Sequence, residues 1–164
     1  MTTNSTIPEP AAPDADKTVN HSYNEFILQL PSHWKELASA EQDTLTFRSD
    51  VEQATITVSA EFYDIPAEKM DAIAAHCIDS RLTGLQEVRI SKVNVLNRSI
   101  KPVSGGESRE VVFGAELPDE RIFLYVGYVS PKKIFNFTLA CLPDRNAAAV
   151  LFDKVMASLQ VKLP

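Results

Sequence analysis

The chain has 164 residues, with 22 acidic side chains against 16 basic ones and a formal net charge of −6. That balance excludes a phosphate-tracking nucleic-acid surface, and no apolar run approaches the roughly 20 residues of a bilayer span. A hydrophobic fraction of 45% suits one domain with a full core.

Residues 1–22 contain Pro8, Pro10 and Pro13, no aromatic residue, and only Ile7 and Val19 as large aliphatics. Such a segment buries too little surface to offset its ordering entropy and reads as a disordered tail. It has neither the basic nor the apolar region of a secretory signal, and no cysteine near its start, so a cytoplasmic location is expected. The single folded domain is expected over 23–164.

Within it, the hydrophobic period alternates between two and about 3.6. Residues 23–30 read as a strand ended by Pro31, and 43–48 place Leu45 and Phe47 opposite Thr44 and Thr46. The segment 54–62 alternates strictly: Ile56, Val58, Ala60 and Phe62 point inward, Thr55, Thr57, Ser59 and Glu61 outward. A helix follows from Pro66 to Leu82 with Gly84 as its C-cap, its apolar stripe being Met70, Ile73, Ala74, Cys77, Ile78 and Leu82. Lys69, Asp79 and Arg81 occupy the opposite face. Turn signals at Gly105-Gly106, Pro118-Asp119 and Ser130-Pro131 then divide a meander of strands at 86–98, 107–116, 121–129 and 133–141. A second helix, capped by Asp144, runs to about Leu159. This order implies an α+β domain, an antiparallel sheet of about six to seven strands with two main helices packed on it.

The chemistry-bearing motifs are absent. There is no G-x-G-x-x-G, Walker lysine loop, H-E-x-x-H, C-x-x-C or G-x-S-x-G. No catalytic residue, metal site or cofactor is therefore expected, and the protein reads as non-enzymatic. His76 with Asp79 three residues on fits an ordinary exposed helix pair, and Glu116, Asp119 and Glu120 fit a solvated turn. The strand Arg121–Val129 is apolar on both faces, as a central strand covered on both sides would be. Its Phe123 and Tyr125, with Val112 and the outward Thr44, Thr46, Thr55 and Thr57, are expected to form a shallow semi-polar sheet face able to accept another protein.

Two stretches carry a family resemblance. F-x-L-x-L-P-x-x-W over Phe26–Trp34 and F-x-x-V-M-x-S-L-x-V over Phe152–Val161 resemble the two ends of the PsbP-like fold, and the order of elements between them is similar. Within that superfamily, the length, acidity and start of the chain are nearest the cytoplasmic effector-associated (Eag) chaperones of type VI secretion and the DcrB-like family. The resemblance implies a chaperone or adaptor, working as a homodimer, that shields a hydrophobic segment of a secretion effector. The alternative it leaves is a protein-interaction module without a secretion role. Where such chaperones present apolar groups on the early strands, this chain has Thr44, Thr46, Thr55 and Thr57.

Overall fold

A computed structural model describes residues 17–23, 25–38, 43–88 and 92–162. Residues 1–16 of the tail expected at 1–22 lie outside them. The described residues form ten strands and two α-helices: β1 (Thr18–Ser22), β2 (Phe26–Pro31), β3 (Trp34–Leu37), β4 (Thr44–Ser49), β5 (Ala54–Phe62), α1 (Met70–Val88), β6 (Asn94–Val103), β7 (Ser108–Leu117), β8 (Arg121–Val129), β9 (Lys133–Cys141), α2 (Arg145–Ser158) and β10 (Leu159–Val161). A seven-stranded sheet has the order β3-β4-β5-β9-β8-β7-β6, and a three-stranded sheet the order β1-β2-β10. Every strand pairing is antiparallel, so the α+β class is as expected, with a second small sheet added.

The alternation of β5 becomes the division between two cores. On one face Phe47, Ile56, Val58, Phe135, Phe137 and Leu139 pack beneath Phe26, Leu28 and Leu30 of β2 and Ala148 and Val155 of α2. On the other face Met70, Ala74, Cys77 and Ile78 of α1 pack on Val111, Phe113, Ala115 and Tyr125. The double-sided strand β8 is thus covered on both sides, by α1 on one and the α2 layer on the other.

Several boundaries differ from the sequence reading. Thr18–Ser22 is a strand rather than tail, because its backbone pairs with β2 and the His21 ring lies 4.6 Å from Phe47. Trp34–Leu37 makes a short edge strand on β4 that the sequence pattern does not mark. Helix α1 does not stop at Gly84 but continues to Val88, and the residues read as the start of a strand at 86 belong to it. Leu82 and Leu85 both pack against the α1-side core, and that contact outweighs the ~0.5–1 kcal/mol cost of a glycine inside a helix. The strand that follows is accordingly Asn94–Val103, with its register shifted between Val95 and Asn97. Leu159, expected as the last helical residue, instead opens the strand β10, which pairs with β2. Asp144 does cap α2, its side chain accepting a hydrogen bond from the Ala147 N–H at 3.1 Å.

Candidate functional site

Seven strands are wider than one helix. Helix α1 packs over β6, β7 and β8, with Ile134 of β9 joining the core beneath it, and on the same face β4, β5 and the Thr138–Ala140 end of β9 lie outside its footprint. The pairing register aligns their outward side chains into rows. Thr46, Thr57, Thr138 and Tyr125 make one row, Arg48, Thr55, Ala140 and Phe123 a second, and Thr44, Ser59, Asn136 and Gly127 a third. Thr44, Thr46, Thr55, Thr57, Thr138 and Ala140 are half-buried.

The four early-strand threonines therefore share a face with Phe123, which is half-buried and has the Arg121 guanidinium 5.8 Å from its ring. Two expected members do not join that surface. Tyr125 is on the right face but only 1% exposed, enclosed under α1. Val112 lies on the opposite face: it pairs with Val126, not with Tyr125, and with Leu96, Leu124 and Phe152 lines a groove of about 390 Å³ beside α2. Both parities of β7 are apolar or small, Val111-Phe113-Ala115 against Val112-Gly114, so composition could not tell which faced where.

Where the edge of α1 meets the open half of the sheet there is a cleft of about 720 Å³. Its wall on the helix side is Ile73, His76, Cys77, Ser80 and Arg81, and Ser59, Glu61, Phe62 and Asn136 lie across from them. The buried Asn136 organises the floor. Its Oδ1 accepts the Tyr125 hydroxyl at 2.7 Å, and its Nδ2 donates to Ser59 Oγ at 3.3 Å and Glu61 Oε2 at 3.2 Å. The Tyr125 ring lies flat along its own strand, over Gly127: a Cβ at Gly127 would overlap the hydroxyl and stand 2.7 Å from Cζ. The Arg81 guanidinium stacks over the other side of that ring, 3.7 Å from its centroid, and donates to the Cys77 carbonyl at 2.9 Å.

Burial pushes the Tyr125 hydroxyl far above its ordinary range, with the nearby Arg81 charge opposing part of the rise. Burial likewise raises the Cys77 thiol, again against Tyr125 and Arg81. Both groups are thus protonated at neutral pH, so Cys77 is not an activated thiolate. Asp79, which could have oriented His76, instead accepts from Arg98 at 2.9 Å. Glu116 of the acidic turn grips Arg145 of α2 at 2.8 and 3.0 Å, and those bonds hold its carboxyl below the ordinary range. Among the described residues no group of three or more His, Cys, Asp or Glu could hold a metal ion. None of their helices is long and apolar enough to cross a membrane.

Arg81, Asn136 and Gly127 are the residues whose roles the sequence reading missed. Arg81 was assigned to the outer face of α1. Its position four residues after Cys77, at the border of the apolar stripe, was the available signal. A glycine two residues beyond a tyrosine in a strand was the signal for Gly127, since the ring needs that space.

A solved structure with a similar course is the solution structure of cyanobacterial PsbP (CyanoP) from Synechocystis sp. PCC 6803. It is 18% identical, covers 88% of this chain and 92% of its own, and superposes with a TM-score of 0.60. The fold is PsbP-like. A crystal structure from Bacteroides thetaiotaomicron is also similar, at 14% identity and a TM-score of 0.43, over 84% of this chain and 45% of the other. No protein-family model matches the chain, and no curated protein sequence matches it.

Proposed function

We propose that this PsbP-like protein is a non-enzymatic chaperone or adaptor that holds a segment of another protein on the open half of its sheet. The observation behind the proposal is the threonine surface itself. In β4, β5 and β9, rows of short β-branched side chains run outside the footprint of α1 and lead into a cleft at its edge. Threonine offers a segment both a methyl and a hydroxyl, and binding to a sheet face needs no catalytic group. The resemblance to the Eag chaperones supplies the client, a hydrophobic segment of a type VI secretion effector, and the setting, a cytoplasmic homodimer.

The polarity of the rows favours a second reading, a protein-interaction module with a soluble partner and no secretion role. Threonine stabilises an apolar client less than Ile or Val would at the same positions.

Thr57 stands at the centre of the first row, so Thr57→Arg tests the proposal. Its partner should be lost in a pulldown from native lysate while the unfolding midpoint stays close to wild type. Retention of the partner by the folded variant would overturn the proposal. A captured effector with an apolar segment supports the chaperone reading, and a soluble partner without one supports the module.

A further inference from the structure

We infer that the cleft beside α1 is a carboxylate subsite, which takes an acidic side chain of the bound protein segment next to an apolar one. The inference rests on the protein-binding reading and names what part of the partner the site recognises.

Arg81 carries it. Its guanidinium is half-buried, held by the Tyr125 ring on one side and by the Cys77 carbonyl, and no carboxylate among the described residues lies within ion-pair distance of it. Arginine has five N–H donors in a planar fork matched to a carboxylate, and among the described residues only one donor has an acceptor. A side chain already fixed by stacking loses little freedom when it binds, so the arrangement is preorganised for an anion. Two arginines that reach α1 from the sheet are engaged by its carboxylates: Arg98 with Asp79 and Arg109 with Asp71.

The rest of the cleft sets the shape of the group. Ile73 lies on the helix wall about two turns before Arg81, and Phe62 and Tyr63 at the end of β5 are 57% and 55% exposed, an apolar rim for the neighbouring side chain. His76 adds a donor on the same wall, one helical turn before Ser80, whose hydroxyl donates to the Cys77 carbonyl at 3.4 Å. Glu61 and Asp43 face the cleft too, Glu61 tethered to Asn136 rather than to Arg81. Their charges oppose an incoming carboxylate and keep the empty site from being strongly cationic.

The test uses the full chain labelled with 15N and two peptides, Ac-Ala-Leu-Glu-Phe-Ala-NH2 and the same sequence with Gln in place of Glu. The Glu peptide should give saturable shifts at Arg81 Nε, Asn136 Nδ2 and the amides of residues 76–81. Its affinity should exceed that of the Gln peptide about tenfold, the worth of one charge-assisted pair. Arg81→Gln should erase the difference. Because that change also removes the stack on Tyr125, Glu61→Gln supplies the second arm: it leaves the stack alone and should tighten the Glu peptide. Equal affinities for the two peptides, no saturable shift up to about 10 mM, or weaker Glu-peptide binding in Glu61→Gln would each overturn the inference. A partner captured equally by wild type and by a folded Arg81→Gln variant would sink this inference and leave the protein-binding proposal standing.

Discussion

Gly127→Ala should be among the costliest single-methyl additions in the molecule. The new Cβ would overlap the Tyr125 hydroxyl and sit 2.7 Å from Cζ and 3.1 Å from Cε1, so the ring has to leave its place along β8. It cannot move outward without displacing Arg81, stacked at 3.7 Å. Overpacking of this kind costs about 1–3 kcal/mol. Moving the ring also breaks the 2.7 Å hydrogen bond to Asn136 in a buried setting, worth about 1–3 kcal/mol when a partner is left unsatisfied. Loss of the Arg81 stack adds about 0.5–1 kcal/mol. Against these, alanine restrains the unfolded chain better than glycine by about 0.5–1 kcal/mol. The net is a loss of about 2–6 kcal/mol, centred near 4.

Urea unfolding at 25 °C reads this directly. With a slope of about 2 kcal/mol/M, the midpoint should fall by about 2 M. The specific claim is that Tyr125 is the cause, which the Tyr125→Val background isolates. There the ring is gone, and adding the methyl at position 127 should be neutral or stabilising by about 0.5 kcal/mol. If Gly127→Ala costs under about 1 kcal/mol in the wild type, or costs the same in both backgrounds, the account of the ring lying over the glycine is wrong.

Three further outcomes follow from other contacts. Lys133 is buried with its Nζ 3.1 Å from Glu25 Oε2 and also bonded to the Lys162 carbonyl, so Lys133→Met should cost about 2–3 kcal/mol by urea unfolding, and adding Glu25→Leu should recover part of that loss. Asp144→Ala removes the acceptor for the Ala147 N–H and should cost about 1 kcal/mol, seen as a lower unfolding temperature without change in peptide binding. Tyr128 is pushed up to about 12, by burial first and then by the Glu110 carboxylate that its hydroxyl contacts at 3.1 Å. Its raised value means the folded state holds a proton that the unfolded state releases near 10, so stability falls as pH rises from about 10 to about 12. In ultraviolet titration Glu110→Gln should bring the Tyr128 transition part of the way back down.

What the sequence made legible depended on whether a segment had one face or two. Strand β5 alternates strictly, so Ile56 and Val58 could be placed in the core and Thr55 and Thr57 outside it, and the α1 stripe from Met70 to Leu82 was equally plain. Strand β7 is apolar or small at both parities, and only its pairing with Val126 puts Val112 beside α2. Strand β8 showed that it was covered on both faces, but not which cover lay over Tyr125. The polar strand β1 left no hydrophobic signal, being held by its ladder with β2. Arg81 reads locally as a solvent-side cation, and its place over the Tyr125 ring follows from the docking of α1 on β8, a contact remote in sequence.

The geometry also gives a structural reason for threonines at this place, which the functional reading must exceed. Seven strands span about six spacings of ~4.8 Å, near 29 Å, while one helix covers roughly 10–12 Å. On the face shared with β1, β2, β10 and α2 the second layer covers Phe47, Ile56 and Phe137; on the other, α1 alone leaves a strip of sheet outside its footprint. Threonine suits such a strip for its own sake, being a good strand former that tolerates water. If that is its whole role, the hydroxyls are interchangeable with anything the strand accepts. Thr57→Val separates the two explanations: it keeps the β-branched shape and should leave unfolding within about 0.5 kcal/mol of wild type. A partner that holds the hydroxyl by a hydrogen bond should then bind about 5–10-fold more weakly, the worth of one neutral bond, whereas a partner resting on the methyls alone should bind as well or better. An unchanged affinity across Thr46→Val, Thr57→Val and Thr57→Arg together would return the threonine rows to the strip's structural need and move the search for function to the cleft.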